Sequence, residues 1–146
     1  MAVPADLQRK QPIAVQASKI PGALTDFVFT VQRVHLANEV VDPSGSNAAR
    51  SDGGDLRFSS DAAGTNQLPC DVVEFEHDSA SGAGNAGIWI NVLVPNVSAV
   101  ANTTIYVWYK GTTTTAQPAV GDTYGQYAVY VNRLGHHAFA DHGSVA

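Results

Sequence analysis

The residues best suited by type to bind a metal lie near the end of the sequence, at His136, His137, Asp141 and His142. Three imidazoles and one carboxylate in so short a segment are ligands that zinc or nickel accepts. Adjacent residues of a strand point to opposite faces, so His136 and His137 could share one ion only across a turn. A solvent-facing tail or an inter-subunit contact explains the same residues without a metal. We therefore predict no metal site and no cofactor.

Carboxylates and one thiol in the middle of the chain are the other candidates for chemistry. An acid/base pair could be drawn from Asp71, Glu74, Glu76 and Asp78. At strand spacing, Glu74, Glu76 and Asp78 lie on one face, which is typical of a solvated outer surface. Cys70 stands at the apparent start of a strand without the sequence signature of a nucleophile, so we predict that it packs in the core.

Motifs that would assign a reaction are absent from the sequence. It contains no Gly-x-Ser-x-Gly elbow, no Gly-x-x-x-x-Gly-Lys phosphate loop and no His-Glu-x-x-His pair. The single cysteine also excludes an intramolecular disulfide. We predict no catalytic residues and a protein that is not an enzyme.

Two aromatic side chains on one predicted strand form a candidate binding surface. Tyr106 and Trp108 alternate with three residues suited to a core, Ile105, Val107 and Tyr109. If that set faces inward, Tyr106 and Trp108 face outward. Either the same chain covers the two rings, or they form a protein–protein or sugar-stacking surface, for which Tyr and Trp are suited. The sequence leaves both alternatives open.

The hydrophobic pattern has the two-residue period of strands rather than the 3.6-residue period of helices. Alternation is clearest in four segments rich in β-branched and aromatic residues, at 27–32, 88–94, 104–110 and 127–131. Shorter strand candidates are Pro12–Ala17, Asp55–Ser59 and Val72–Glu76. The one helical candidate, His35–Val41, is short enough to be a loop or a single turn. Because Gly, Pro and Asn turns separate these segments, we predict an all-β fold, an antiparallel β-sandwich or jelly roll.

The length of 146 residues fits one ordinary domain. We divide the chain into an N-terminal arm of residues 1–11, a β-sandwich domain of residues 12–132 and a C-terminal tail of residues 133–146. The arm, the tail and the Val40–Gly54 loop are the segments that we expect to reach neighbouring molecules.

Composition and charge exclude several classes of partner. The formal net charge is −5, from 8 basic and 13 acidic residues. This charge disfavours nucleic-acid binding, because neutralising phosphates requires Lys and Arg. No window approaches the roughly 18 consecutive apolar residues of a membrane span. The first ten residues lack the apolar core of a secretory signal, so we expect synthesis in the cytoplasm.

Four ordered segments resemble one known family. They are Asp52–Phe58 (DGGDLRF), Gln67–Pro69 (QLP), Ala86–Val92 (AGIWINV) with Pro95, and Asn102–Tyr109 (NTTIYVWY). They are similar to an uncharacterised β-sandwich domain of phage virion proteins and bacterial surface proteins, where it often precedes a concanavalin-like lectin domain. The resemblance spans roughly residues 10–130 and carries over no catalytic residues. In the family the last segment ends in Tyr then Gly, whereas here Lys110 intervenes.

These observations lead to two hypotheses about function. The first is a capsid decoration or cement protein on the outer surface of a phage virion. Such a protein would be made in the host cytoplasm and would bind the major capsid protein and copies of itself as a homo-oligomer. Specific contacts of this kind bury about 1,200–2,000 Å² in total. The alternative is a carbohydrate-binding or adhesin module of a phage tail, fibre or surface protein, with Trp89, Tyr106 and Trp108 stacking on sugar rings.

Overall fold

The computed structural model describes residues 1–78 and 87–117. In these ranges seven strands form: β1 (Leu7–Val15), β2 (Leu24–Val31), β3 (Arg57–Ser59), β4 (Gln67–Leu68), β5 (Cys70–Glu74), β6 (Trp89–Val97) and β7 (Thr103–Gly111). One turn of α-helix, α1 (Asn38–Val41), and 3₁₀ turns at Ala17–Lys19 and Arg33–His35 accompany them. The predicted strand at 127–131 and the predicted tail at 133–146 lie outside the described residues.

The strands form two antiparallel sheets that pack around one hydrophobic core. The first sheet has the order β1-β7-β3-β4, and the second has the order β2-β6-β5. Thus β7 lies between β1 and β3, and β6 lies between β2 and β5. The predicted antiparallel β-sandwich is confirmed. The jelly-roll connectivity stays a prediction.

Strand β7 alternates as its sequence predicts. Ile105 and Val107 are fully buried and Tyr109 is 2% exposed, so these three side chains face the core. Tyr106 and Trp108 lie half-buried on the opposite face. Burying a large apolar side chain contributes about 1.5–3 kcal/mol, so this inward row fixes the register of β7 against its neighbours.

Strand β6 buries both of its faces, which simple alternation did not predict. Ile90 and Val92 contribute to the core between the sheets, while Leu93 on the other face is only 3% exposed. Asn91, also on that other face, is 1% exposed. Its side-chain oxygen accepts a hydrogen bond from the indole N–H of Trp89 at 3.1 Å. The Thr30 hydroxyl donates to the same oxygen at 3.1 Å, whereas the buried amide nitrogen of Asn91 has no hydrogen-bond partner among the described residues.

The first strand begins earlier than predicted, at Leu7 rather than Pro12. Residues 7–11, which we assigned to the N-terminal arm, therefore belong to the sheet. Arg9 pairs with Tyr109 and continues the ladder. The sequence did not indicate this part of the strand, because Gln8, Arg9 and Lys10 are polar and exposed and show no apolar alternation.

The first three residues are also bound to their own chain. The backbone N–H of Val3 donates to the carbonyl of Gly64 at 2.8 Å. The backbone N–H of Gln67 donates to the carbonyl of Met1 at 2.7 Å. Residues 1–3 therefore lie along the connection between β3 and β4, and their contact with neighbouring molecules stays a prediction.

Helix α1 contributes two residues to the hydrophobic core. The segment at 35–41 was predicted as a loop or single turn, and it forms one short turn of helix that buries Val40 and Val41 completely. Ala49 is also buried, and its N–H donates to the carbonyl of Val40 at 2.8 Å. The Val40–Gly54 loop thus adds to the core at Val40, Val41 and Ala49 and exposes residues 43–46 and 50–52.

Candidate functional site

The predicted aromatic surface lies on the outer face of the first sheet. Lys10 of β1 pairs directly with Trp108 of β7, and Pro12 pairs with Tyr106. The Lys10 ammonium lies 5.1 Å from the centroid of the Trp108 ring system and 5.7 Å from the centroid of the Tyr106 ring. These distances allow cation–π attraction to both rings. The same ammonium donates a hydrogen bond to the carbonyl of Ala62. We call Lys10, Tyr106 and Trp108 the aromatic face.

Contacts within the chain fix the orientation of Trp108. Its indole N–H donates to the hydroxyl of Ser59 at 2.7 Å. The hairpin connection between β3 and β4 passes so close that a Cβ at Gly64 would lie 2.9 Å from Cζ2 of Trp108 and 2.6 Å from Cγ2 of Val3. Gly64 also has a φ of +74°, which favours glycine. The connection therefore covers part of the indole and leaves Trp108 half-buried.

In the Asp52–Phe58 segment, which belongs to the family resemblance, the carboxylates accept hydrogen bonds from the backbone. Asp55 is 1% exposed; one carboxylate oxygen accepts from the N–H of Arg50 at 2.9 Å, and the other accepts from the N–H of Gly111 at 3.0 Å. Asp52 accepts from the N–H of Gly54 at 2.8 Å. Both carboxylates therefore satisfy backbone donors, and Asp55 ties the segment to the end of β7.

The residues after β7 cross directly over this segment. A Cβ at Gly54 would lie only 2.2 Å from the carbonyl oxygen of Thr115, so only glycine allows the approach. The side-chain amide of Gln117 donates to the carbonyl of Gly53 at 2.8 Å. We call residues 112–117 the crossing segment.

Arg57 connects the crossing segment to the Asp52–Phe58 segment through hydrogen bonds. Its side chain is almost fully buried, and it donates to the carbonyls of Gly54 at 3.0 Å, Leu56 at 2.8 Å and Ala116 at 2.7 Å. Burial lowers the pKa of Arg57, since a guanidinium that leaves water loses hydration. The three carbonyls offset part of that loss, so Arg57 acts as a structural donor.

The central acidic residues divide into two groups. Glu74 and Glu76 are exposed, in agreement with the predicted solvated face. The prediction is wrong for Asp78, because β5 ends at Glu74 and the two-residue period does not continue. Asp78 instead accepts from Nε of Arg33 at 3.0 Å, and each side chain is only 12% exposed. This ion pair links the 3₁₀ turn after β2 to the segment after β5.

Cys70 lies in the core, as predicted. Its side chain is buried, and burial raises the pKa of the thiol to about 12. A thiol with so high a pKa stays protonated near neutral pH, whereas a nucleophile requires the thiolate.

Residues 1–78 and 87–117 contain no group of three metal-binding side chains close enough to hold an ion. The metal candidates His136, His137, Asp141 and His142 lie outside the described residues. No helix within the described part of the chain is long and apolar enough to cross a membrane.

Two of the cavities on the described part of the surface are not indicated by any pattern in the sequence. The first, of about 400 Å³, lies between the edge strands β1 and β2 and is lined mainly by Val15, Ile20, Phe27 and Phe29. The second, of about 470 Å³, lies where the chain turns from β4 into β5, and we call it the corner cavity. Its lining residues are Asp26, Ser60, Asn66, Gln67, Leu68, Pro69, Leu93 and Pro95. Each cavity combines distant segments, so no local pattern indicates it.

Fold and surface together define a β-sandwich with a cationic–aromatic outer face. Comparison with protein-family models, with curated proteins and with solved structures gave no match to the chain. The resemblance drawn from the four sequence segments therefore stays a prediction.

Proposed function

We propose that this protein is a virion structural protein, a decoration or cement protein on the outer surface of a phage capsid. In this proposal it binds the major capsid protein and copies of itself, and it catalyses no reaction. The observation that carries the proposal is the aromatic face, in which one cation lies over two half-buried rings on a broad sheet surface. Trp and Tyr are enriched among the residues that dominate the energy of protein–protein contacts.

The aromatic face is organised before any partner arrives. The Ser59 hydroxyl and the Lys10 ammonium hold the rings in place, so binding would immobilise few side chains. Ordering a flexible side chain at an interface costs about 0.5–1.5 kcal/mol, and this surface avoids much of that cost. Pro12, Ala14 and Thr104 are exposed on the same face and extend it with short side chains. Ordered aromatic rings surrounded by exposed short side chains suit contact with the surface of another protein.

Sugar stacking by the three predicted aromatic residues is the alternative, and two observations weigh against it. Lys10 occupies space over the rings of Tyr106 and Trp108 that a sugar would need. Trp89 belongs to β6 of the second sheet, so it does not extend the surface formed by Tyr106 and Trp108 on the first sheet. The geometry therefore favours a protein partner for the aromatic face.

An icosahedral reconstruction of purified virions tests the proposal. We expect copies distributed over the shell with the outer face of the first sheet against the capsid or against a neighbouring copy. The double variant Lys10→Ala/Tyr106→Ala should then bind to stripped capsids with at least about tenfold lower affinity, since hot-spot truncations typically cost 2 kcal/mol or more. Thr25→Ala, at an exposed position of the second sheet, is the matched control and should bind normally.

Three outcomes would overturn the proposal. The first is absence from the particle. The second is a few copies at a single vertex, which would indicate a tail protein. The third is equal binding by the double variant and the wild type, which would remove the aromatic face from the contact. Melting of each variant checks that the sandwich is intact.

A further inference from the structure

The corner cavity has the size and composition of a small-molecule site. Its volume of about 470 Å³ falls within the roughly 300–1,000 Å³ typical of ligand pockets. Its apolar lining, which we call the floor, comes from the buried Leu68 and Leu93 together with Pro69 and Pro95. Its polar lining, which we call the rim, comes from Asp26, Ser60, Asn66 and Gln67. An apolar floor with a few convergent polar groups is the usual construction of such a site.

Three residues of the rim, Ser60, Asn66 and Gln67, have a backbone fixed by hydrogen bonds and side chains that bond to no described residue. The N–H of Asn66 donates to Asp61 at 2.9 Å, and the N–H of Gln67 donates to the carbonyl of Met1 at 2.7 Å. The N–H of Ser60 donates to the carbonyl of Asn66 at 3.1 Å. Within the described residues, the Ser60 hydroxyl and the amides of Asn66 and Gln67 make no hydrogen bond of their own. A ligand that bonds to Ser60, Asn66 and Gln67 would therefore displace no hydrogen bond that these side chains make to the described residues.

Asp26 adds a second, independent feature at the same place. It has a φ of +52° inside strand β2, a left-handed conformation that is rare for a residue other than glycine. In the ladder between β2 and β6, Thr25 pairs with Asn96 and Phe27 pairs with Val94, so Asp26 lies opposite Pro95. Pro95 has no N–H to donate to β2. Backbone strain of this kind occurs preferentially at ligand sites.

The chemistry of the rim selects the class of ligand. Hydroxyl and amide groups both donate and accept hydrogen bonds, and a carboxylate accepts them. Among the described residues that line the cavity none is cationic, so they offer nothing to neutralise a phosphate or carboxylate. A pyranose ring presents hydroxyls at its edge and a C–H face that fits an apolar floor. We propose that the corner cavity binds one neutral pyranose unit of a glycan, with Ser60, Asn66 and Gln67 as hydrogen-bonding residues.

Ligand-observed NMR on the full chain tests this site with glucose, galactose, mannose and N-acetylglucosamine as separate probes. We expect saturation transfer to at least one sugar at millimolar concentration and shifts of the Asn66 and Gln67 amide signals in the same titration. The double variant Asn66→Ala/Gln67→Ala should weaken that binding at least tenfold. Gln8→Ala removes an exposed amide far from the cavity and should leave binding unchanged.

Two results would overturn the site. One is the absence of saturation transfer from all four sugars. The other is binding that survives the double variant but disappears in Tyr106→Ala, which would place the sugar on the aromatic face. Because the side chains of Asn66 and Gln67 bond to no described residue, we expect the Asn66→Ala/Gln67→Ala variant to have the same Tm as the wild type. The amide shifts of the unmodified protein locate the sugar independently of any variant. This proposal does not depend on the capsid proposal, since the two tests use different residues.

Discussion

Gly54 gives the sharpest test of the interpretation that the Asp52–Phe58 segment is structural. A Cβ at this position would lie 2.2 Å from the Thr115 oxygen, whereas real Cβ atoms essentially never approach closer than 3.0 Å. In Gly54→Ala the crossing segment must therefore move by at least 0.8 Å. A movement of that size stretches the bonds from Arg57 to Ala116 and from Gln117 to Gly53, now 2.7 and 2.8 Å, past normal lengths.

The expected cost follows from those two bonds. A hydrogen bond from a charged donor contributes about 1.5–3 kcal/mol and a neutral one about 1 kcal/mol, so Gly54→Ala should lower the free energy of unfolding by about 3 kcal/mol. This corresponds to a fall in Tm of roughly 10 °C for a domain of this size. Urea unfolding followed by tryptophan fluorescence measures the change. Gly22→Ala is the control, because nothing lies within 4 Å of its added Cβ. If Gly54→Ala and Gly22→Ala unfold at the same urea concentration, the crossing segment does not pack as described.

Three further substitutions test other parts of the structure. Tyr109→Phe removes a hydroxyl that donates to Glu39 at 2.6 Å, and because the Glu39 side chain is 34% exposed, urea unfolding should show a loss of only about 1 kcal/mol. Burial lowers the pKa of His35, so the folded protein binds fewer protons than the unfolded chain. Tm should therefore fall as the pH drops below about 6.5, and His35→Phe should flatten that slope. Lys110 has a φ of +62°, so Lys110→Gly should be about 1 kcal/mol more stable than Lys110→Ala, as judged by urea unfolding. Equal stability of the two Lys110 variants would contradict the left-handed backbone at Lys110. An unchanged pH slope in His35→Phe would contradict the lowered pKa of His35, and no loss of stability in Tyr109→Phe would contradict the bond to Glu39.

The sandwich was predictable because period-two patterning is a local property. Ile105 and Val107 alternate with Tyr106 and Trp108 in a way that only a strand buries efficiently. The place of Cys70 in the core followed from the same kind of local signal. The start of β1 was missed because Gln8, Arg9 and Lys10 carry no apolar alternation, and the ladder with β7 that makes them a strand comes from residues about a hundred positions away.

The contacts that fix the candidate sites were not predictable for a related reason. The aromatic face depends on Lys10 meeting Trp108, and the cover of the indole depends on Val3 and Gly64. The pairing of Asp78 with Arg33 joins residues 45 positions apart, so the acidic pattern alone suggested a solvated face instead. Types of residue are visible in a sequence, whereas partners appear only once the strand order brings distant segments together.

The two candidate sites meet at the end of β3 and its connection to β4, which supply Ser59 and the Ala62 carbonyl to the aromatic face and Ser60 and Asn66 to the corner cavity. Their other residues come from different strands. The aromatic face and the crossing segment both depend on β7, because Trp108 lies on it and Asp55 binds the Gly111 N–H at its end. The corner cavity takes its floor from β6 and the β4–β5 turn, where the N–H of Leu93 donates to the carbonyl of Pro69 at 2.9 Å. Under the two proposals, a variant that loosens the end of β7 should weaken capsid binding before it affects sugar binding. Loss of both together in Gly54→Ala, at a temperature where the protein stays folded, would mean that the two surfaces are coupled, through the core or through the shared β3–β4 connection.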